Sequence, residues 1–176
     1  MHPEAQKLIE DLRLQSHPEG GWFRETYRSG WEIPVPALPP GYDGPRALGT
    51  SILFLLAGDA VSRLHRLRGD EMWFHHAGGG LHLHLFWPAG PDTSFARHEE
   101  LQLGLDGNRG QTPQVLVPGG CWFGATLADD GTGDDGYALV GCSMAPGFDF
   151  ADFALARPEV LRAAFPAERE LIARLA

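Results

Sequence analysis

A chain of 176 residues with 14 Lys and Arg against 23 Asp and Glu carries a formal charge of −9. It is long enough to bury a core of its own, and too acidic to favour phosphate backbones or anionic lipid headgroups, so repeat arrays, mini-protein scaffolds and nucleic-acid binders fall away. Two cysteines, Cys121 and Cys142, make neither a disulfide framework nor a metal knuckle and suit a reducing compartment, with the cytoplasm as the expected location.

The longest apolar run, about residues 52–57, is strand length and far short of the ~20 residues that span a bilayer. The acid-bearing start MHPEAQKLIEDL lacks the cationic and apolar regions of a secretory signal, so no membrane partner is expected. Ala5, Leu8, Ile9 and Leu12 recur at helical spacing behind Pro3, which predicts an amphipathic helix over about 3–15. His17-Pro18-Glu19-Gly20-Gly21 reads mainly as a tight structural turn between that helix and a strand carrying Arg24 and Tyr27. Five prolines between Trp31 and Pro45 forbid a regular ladder or helix and predict an extended surface loop.

Through residue 142, apolar segments such as TSILFLLAG, EMWFHH, LHLHLFW and YALVGC alternate with joints rich in Gly, Pro and Asp. That rhythm is the mark of an antiparallel sandwich or barrel, expected over about 20–155. The acidic run Asp129-Asp130-Gly131-Thr132-Gly133-Asp134-Asp135 lacks the alternating ligands and closing Glu of a calcium loop and reads as a mobile hairpin tip. From Pro158 the spacing becomes helical, with Pro166 breaking the pattern, so one or two helices close the chain over about 158–175. The expectation is a single domain across 1–176.

Strand alternation places Arg63 with His65, Glu71 with Trp73 and His75, and His82 with His84 and Phe86. If the Arg63 and Glu71 faces line a barrel, a guanidinium, an imidazole and a carboxylate meet inside a wall of Trp73, Phe86, Trp122 and Phe123. Such a pocket grips a polar small molecule. Trp73 and Trp122 serve equally as core.

Four segments then carry a resemblance: HPEGGWFRETY from His17, SRLHRLRGDEMWFHH from Ser62, LVPGGCWFGA from Leu116 and ALVGCSMAPGFDFADF from Ala138. In this order and spacing the chain resembles a family of small single-domain cupins, mostly without assigned function. The resemblance implies an all-β double-stranded β-helix, or jelly roll, with short terminal helices, a ligand cavity in the barrel and a homodimer.

Metal-binding cupins carry His-x-His followed by Glu in their first motif and a further His after Pro-x-Gly in their second. Here Arg63-Leu64-His65 and Pro118-Gly119-Gly120-Cys121-Trp122-Phe123 lack two of those four ligands. A guanidinium has no lone pair to give a metal. No cofactor is therefore expected, although His65 with Glu71, His75 or His84 keeps a divalent ion chemically open.

The same barrel serves metal-independent nucleotide-sugar epimerases, and that looser resemblance implies His65 as proton-abstracting base, Glu71 as its partner and Arg63 as oxyanion clamp. Tyr137 or Tyr27 would be the acid. The expected catalytic set is His65, Glu71 and Tyr137, and the expected ligand contacts are Arg24, Tyr27, Arg63, Trp73, His75, His84, Phe86, Trp122 and Phe123. A metal-dependent dioxygenase or isomerase, and a non-catalytic binding or storage protein, are the competing classes.

Overall fold

Between Thr50 and Ala57 the sequence TSILFLLA is apolar on both faces, and both faces are covered. Phe54 and Leu56 enter the barrel interior, while Leu55 and Ala57 pack outward under the N-terminal helix. This strand organises the computed structural model, which describes residues 1–89, 96–128 and 136–176. The acidic run 129–135 lies outside the described residues.

In chain order the elements begin with helix α1 (Pro3–Asp11), then β1 (Gln15–Ser16), β2 (Trp22–Arg28), β3 (Glu32–Ile33), β4 (Arg46–Ala47) and β5 (Thr50–Ala57). There follow β6 (Ser62–Arg66), β7 (Glu71–Gly78), β8 (Leu81–Trp87), β9 (Arg97–Leu103), β10 (Gln114–Val117), β11 (Trp122–Leu127) and β12 (Tyr137–Met144). The chain closes with β13 (Ala154–Leu155), α2 (Pro158–Ala164) and α3 (Arg169–Arg174).

One sheet runs β1-β2-β5-β12-β7-β10 and faces a second that runs β13-β6-β11-β8-β9, all antiparallel at the pairings within them. Two packed antiparallel sheets with short terminal helices are the jelly roll expected from the sequence. The interior between them holds Phe54, Trp73, Leu83, Leu85, Phe123 and Val140. A second apolar layer, with Ala5, Leu14 and Leu139, lies between α1 and the outer face of the first sheet. A third lies under α2 and α3, where Leu161, Phe165 and Ile172 cover Leu64 and Phe86 of the second sheet.

Helix α1 starts with His2 Nδ1 accepting from the Glu4 amide at 3.2 Å and Pro3 in its first turn. It stops at Asp11, earlier than the periodicity predicts, because Arg13 turns left-handed (φ 52°) and sends Leu14 back under the helix as Gln15 and Ser16 enter β1. The proline-rich excursion is a loop with one 3-10 turn at Val35–Ala37, tied at its ends by the β3–β4 pair.

Two irregularities decide which side chains see the interior. On β6, Phe123 faces His65 but Ala125 faces Ser62, so β6 carries one extra residue between those pairings. On β2, Glu25 pairs with Ile52 and Tyr27 with Ser51, so Thr26 is the extra residue there. Each bulge reverses the in-out alternation beyond it.

Candidate functional site

The interior opens into a cavity of about 250 Å³ at one end of the barrel, at the small end of the ~300–1,000 Å³ usual for ligand pockets. It is about eight water volumes. Most of its wall is apolar, from Phe23, Ile52, Phe54, Leu67, Trp73 and Met144. His17, Glu19, His65 and Glu71 stand among its lining side chains, with Glu25, Arg28 and Asp149 also in the wall.

Glu19 reaches the cavity from the His17–Gly21 turn. Gly20 (φ 106°) and Gly21 (φ 69°) let that turn lie flat on the barrel, and a Cβ at Gly20 would stand 2.2 Å from the Val61 carbonyl oxygen. The Arg63 amide donates to the Glu19 carbonyl at 2.7 Å, fixing the turn to β6. The Glu19 carboxyl is then surrounded: Ser62 Oγ donates to Oε1 at 2.9 Å, while Oε2 lies 3.2 Å from His65 Nε2 and 3.4 Å from His17 Nδ1. The extra residue in β6 is what allows Ser62 and His65, three apart, to converge on one carboxyl group.

Hydrogen-bond partners fix the ring protons. His65 Nδ1 lies 2.7 Å from the Arg63 carbonyl, which only accepts, so Nδ1 carries the hydrogen and Nε2 turns toward Glu19. One proton is left to be shared between Nε2 and Oε2. His17 Nδ1 accepts from the Glu19 amide at 3.3 Å, which puts its hydrogen on Nε2. That Nε2 has no hydrogen-bond partner among the described residues.

Burial governs the charges. Loss of water pushes His65 down to about 4 and lowers His17, whereas it pushes Glu19 up to about 7 against the opposing pull of His17, Ser62 and Arg63. Glu71, equally buried and beside the Glu19 charge, is pushed up to about 8 despite the indole bond from Trp73 Nε1 to its Oε2 at 2.7 Å. At neutral pH Glu71 is therefore a carboxylic acid. Since Oε2 receives the indole, its proton sits on Oε1, which has no protein partner among the described residues.

The mouth is built by β2 and the segment after β12. Arg28 holds Glu25 through Nε at 3.0 Å and Nη2 at 2.7 Å, and donates from Nη1 to the Phe148 carbonyl at 3.1 Å. Phe148, Phe150 and Phe153 meet edge to face with centroids 5.0 to 6.4 Å apart, and Phe153 stacks on His65 at 5.5 Å. This aromatic strap is anchored at Asp152, whose oxygens receive Arg46 Nε at 2.7 Å, Arg46 Nη2 at 2.9 Å and Arg68 Nε at 3.0 Å.

Of the residues singled out in the sequence, the structure brings His65, Glu71 and Trp73 into the cavity wall, with Phe123 directly behind His65 at 4.0 Å. The others stand elsewhere. Arg63 is turned out by the β6 bulge and donates to the Pro18 carbonyl on the far side of the turn. Arg24 alternates away from Phe23 and Glu25, and the β2 bulge puts Arg28 at the mouth while Tyr27 is 56% exposed.

Tyr137 lies on the outward parity of β12 with Leu139, under α1, its ring 5.2 Å from His2. The expected acid is thus at the wrong end and on the wrong face. His75 lies two residues beyond Trp73, with Nε2 3.0 Å from the Gly79 carbonyl at the β7–β8 turn. His84 and Phe86 face outward because Leu81, Leu83 and Leu85 take the inward positions of β8; there His84 stacks on His98 and Phe86 meets Phe165. Trp122 also faces outward, under Arg66.

Sequence reasoning missed Glu19, His17, Ser62 and Arg28. The pattern His-Pro-Glu-Gly-Gly held a usable signal, since two adjacent glycines permit a close backbone approach and a carboxylate precedes them. Both cysteines are buried, and burial pushes Cys121 up to about 12 and holds Cys142 well above the ordinary thiol value, so both thiols stay protonated and unreactive at neutral pH. Among the described residues no three His, Cys, Asp or Glu side chains stand at ligating spacing.

A family model described as Cupin_5, cupin superfamily (DUF985), matches residues 6–156. The uncharacterized protein YML079W of Saccharomyces cerevisiae is 31% identical over 160 residues, covering 88% of this chain and 76% of its own. Among solved structures, protein SO0799 from Shewanella oneidensis superposes with a TM-score of 0.80 at 40% identity, over 98% of this chain and 96% of its own. A hypothetical protein from Leishmania major gives 0.83 at 34% identity, over 98% of both chains. No helix among the described residues is long and apolar enough to cross a membrane.

Proposed function

The chain belongs to the Cupin_5 (DUF985) family of the cupin superfamily, and from that premise we propose that it is a metal-independent isomerase or epimerase acting on a compact hydroxy-carbonyl compound of about single-sugar size. The observation that carries this reading is His65 Nε2 standing 3.2 Å from Glu19 Oε2 in the same cavity as Glu71, whose carboxyl group burial pushes up to about 8.

Acid and base are distinct groups here. With Nδ1–H committed to Arg63, removing the shared proton leaves two lone-pair atoms 3.2 Å apart, so the deprotonated pair recovers a proton readily. It takes that proton from the guest carbon next to a carbonyl, and the C–H electron pair moves toward the carbonyl oxygen. Glu71 Oε1–H gives its proton to that oxygen, forming an enediol. The pair then returns its proton at the alternative carbon or face while an enediol hydroxyl gives a proton back to Glu71 as the new carbonyl forms, which completes isomerisation or epimerisation and leaves the pair deprotonated and Glu71 protonated, as before the reaction. His17 Nε2–H is the free donor that orients a guest oxygen.

The lining also bears on substrate charge. Its acidic side chains are Glu19, Glu25, Glu71 and Asp149, and its one cation, Arg28, is engaged by Glu25. A neutral polyhydroxy carbonyl compound suits this lining better than a carboxylate, because an anion would be desolvated without a free cation to receive it. The family resemblance supports a homodimer, and two unpaired thiols support a cytoplasmic setting.

The test is proton exchange. Wild-type protein is incubated in deuterium oxide with a panel of aldoses, ketoses and hydroxy-ketones, and carbon-bound deuterium is read by NMR. Incorporation that disappears in Glu19→Gln while that variant still binds the compound supports the proposal. A panel compound that binds saturably and never exchanges overturns it in favour of a non-catalytic binding protein.

A further inference from the structure

Behind the strap lies a second cavity of about 480 Å³, separated from the first by Leu67 and Phe153, which line both. Strand alternation continues past β6, so Leu67 points into the barrel while Arg66 and Arg68 point out, into this second space with Asp152 and Gly120. We propose that it is a binding site for a phosphate-class oxyanion, either free or carried by a small metabolite.

Both guanidiniums lie over aromatic faces, and Arg68 is in addition paired through Nε with Asp152, which it shares with Arg46. Arg66 lies over the Trp122 ring at 4.7 Å and has no carboxylate within ion-pair distance among the described residues. Arg68 lies over Tyr42 at 5.4 Å, close enough to Gly41 that a Cβ there would stand 2.7 Å from its Nη1. Only its Nε is spent, on Asp152; no hydrogen bond engages its two Nη groups among the described residues. The Asp152 carboxylate is saturated by Arg46 and Arg68 and does not compete for the remaining donors.

The whole Arg66 fork and the two Nη groups of Arg68, lining one space, are donors of the kind that recognise a tetrahedral oxyanion in paired hydrogen bonds. The net charge of −9 opposes this only at long range, where salt screens it beyond about 10 Å. Contact pairs are screened far less. The volume, about sixteen waters, leaves room for an organic group attached to the phosphate.

Isothermal titration with inorganic phosphate, at ionic strength fixed by chloride, reads the site directly, with glucose 6-phosphate as the arm for an esterified phosphate. Saturable binding of one anion per chain, weakened about tenfold or more by Arg66→Ala and less by Arg66→Lys, is expected. Unchanged affinity in His65→Asn separates this site from the central cavity. Tighter binding of the ester than of phosphate identifies a metabolite as the ligand class, and equal binding identifies the free anion. No saturable heat with either probe, or equal affinity in Arg66→Ala, overturns the proposal. Arg66 is exposed and bonded only to an aromatic face, so its variants fold.

Discussion

His65 Nε2 and Glu19 Oε2 stand 3.2 Å apart inside the barrel, although one belongs to a strand of the second sheet and the other to the turn that joins β1 to β2 in the first. Glu19→Gln replaces a proton-sharing oxygen by an amide of the same shape. Guest binding is expected to persist, because the amide still fills the site, while exchange of the carbon-bound proton falls by about 10²–10⁴-fold. Ligand-induced melting shifts beside the deuterium NMR assay separate the two effects.

Stability should have an optimum in pH with two differently built limbs. Glu71 at about 8 and Glu19 at about 7 lie above the ordinary 4.5, so the folded state binds more protons than the unfolded one between those values. Their contribution is complete below about 4.5 and is lost as pH rises through 7 to 8. His65 and His84, both pushed down to about 4 mainly by burial, act in the opposite sense. Their contribution is complete above the ordinary 6.5 and is lost as pH falls toward 4. Thermal unfolding across pH should therefore show Glu71→Gln flattening the alkaline limb and His84→Asn flattening the acid limb.

Arg46 and Asp152 are both nearly buried, and Arg46→Ala leaves the carboxylate with Arg68 alone. Removing one partner of such a pair is expected to cost about 3 kcal/mol, the lower end for buried pairs because solvent reaches the adjoining cavity. Chemical denaturation measures it. The aromatic strap loses its anchor in the same variant, so guest affinity at the central cavity should fall as well.

At Gly20 the backbone φ of 106° and the Val61 carbonyl 2.2 Å from any added Cβ leave no room for a side chain. Gly20→Ala should destabilise the fold by roughly 2 kcal/mol or more. It should also move Glu19 away from His65, seen as loss of exchange activity in the protein that remains folded.

An antiparallel sandwich or barrel and the helical ends were legible because apolar periodicity and turn residues repeat along the chain, while the jelly roll and the inward positions of His65, Glu71 and Trp73 needed the resemblance to the cupin family as well. Arg63 and Tyr27 were misplaced for one reason. A bulge inserts a residue without altering composition, and alternation counted across it assigns every later side chain to the wrong face. His84 and Phe86 failed differently: β8 is apolar or aromatic on both parities, with a core on one side and α2 and α3 on the other, so periodicity could not choose between them. Glu19 was hidden by its turn. A helix-to-strand joint with Pro and Gly has a sufficient structural explanation, and only its seat against Ser62 and His65 reveals a second role.

Because that turn joins β1 to β2 and is pinned to β6 through the Glu19 carbonyl, one five-residue segment carries both the reactive carboxyl group and a seam of the barrel. A change of the Glu19 side chain alters the acid alone, whereas a change at either glycine displaces the acid and the seam together, so the scaffold itself limits which substitutions can redirect the chemistry.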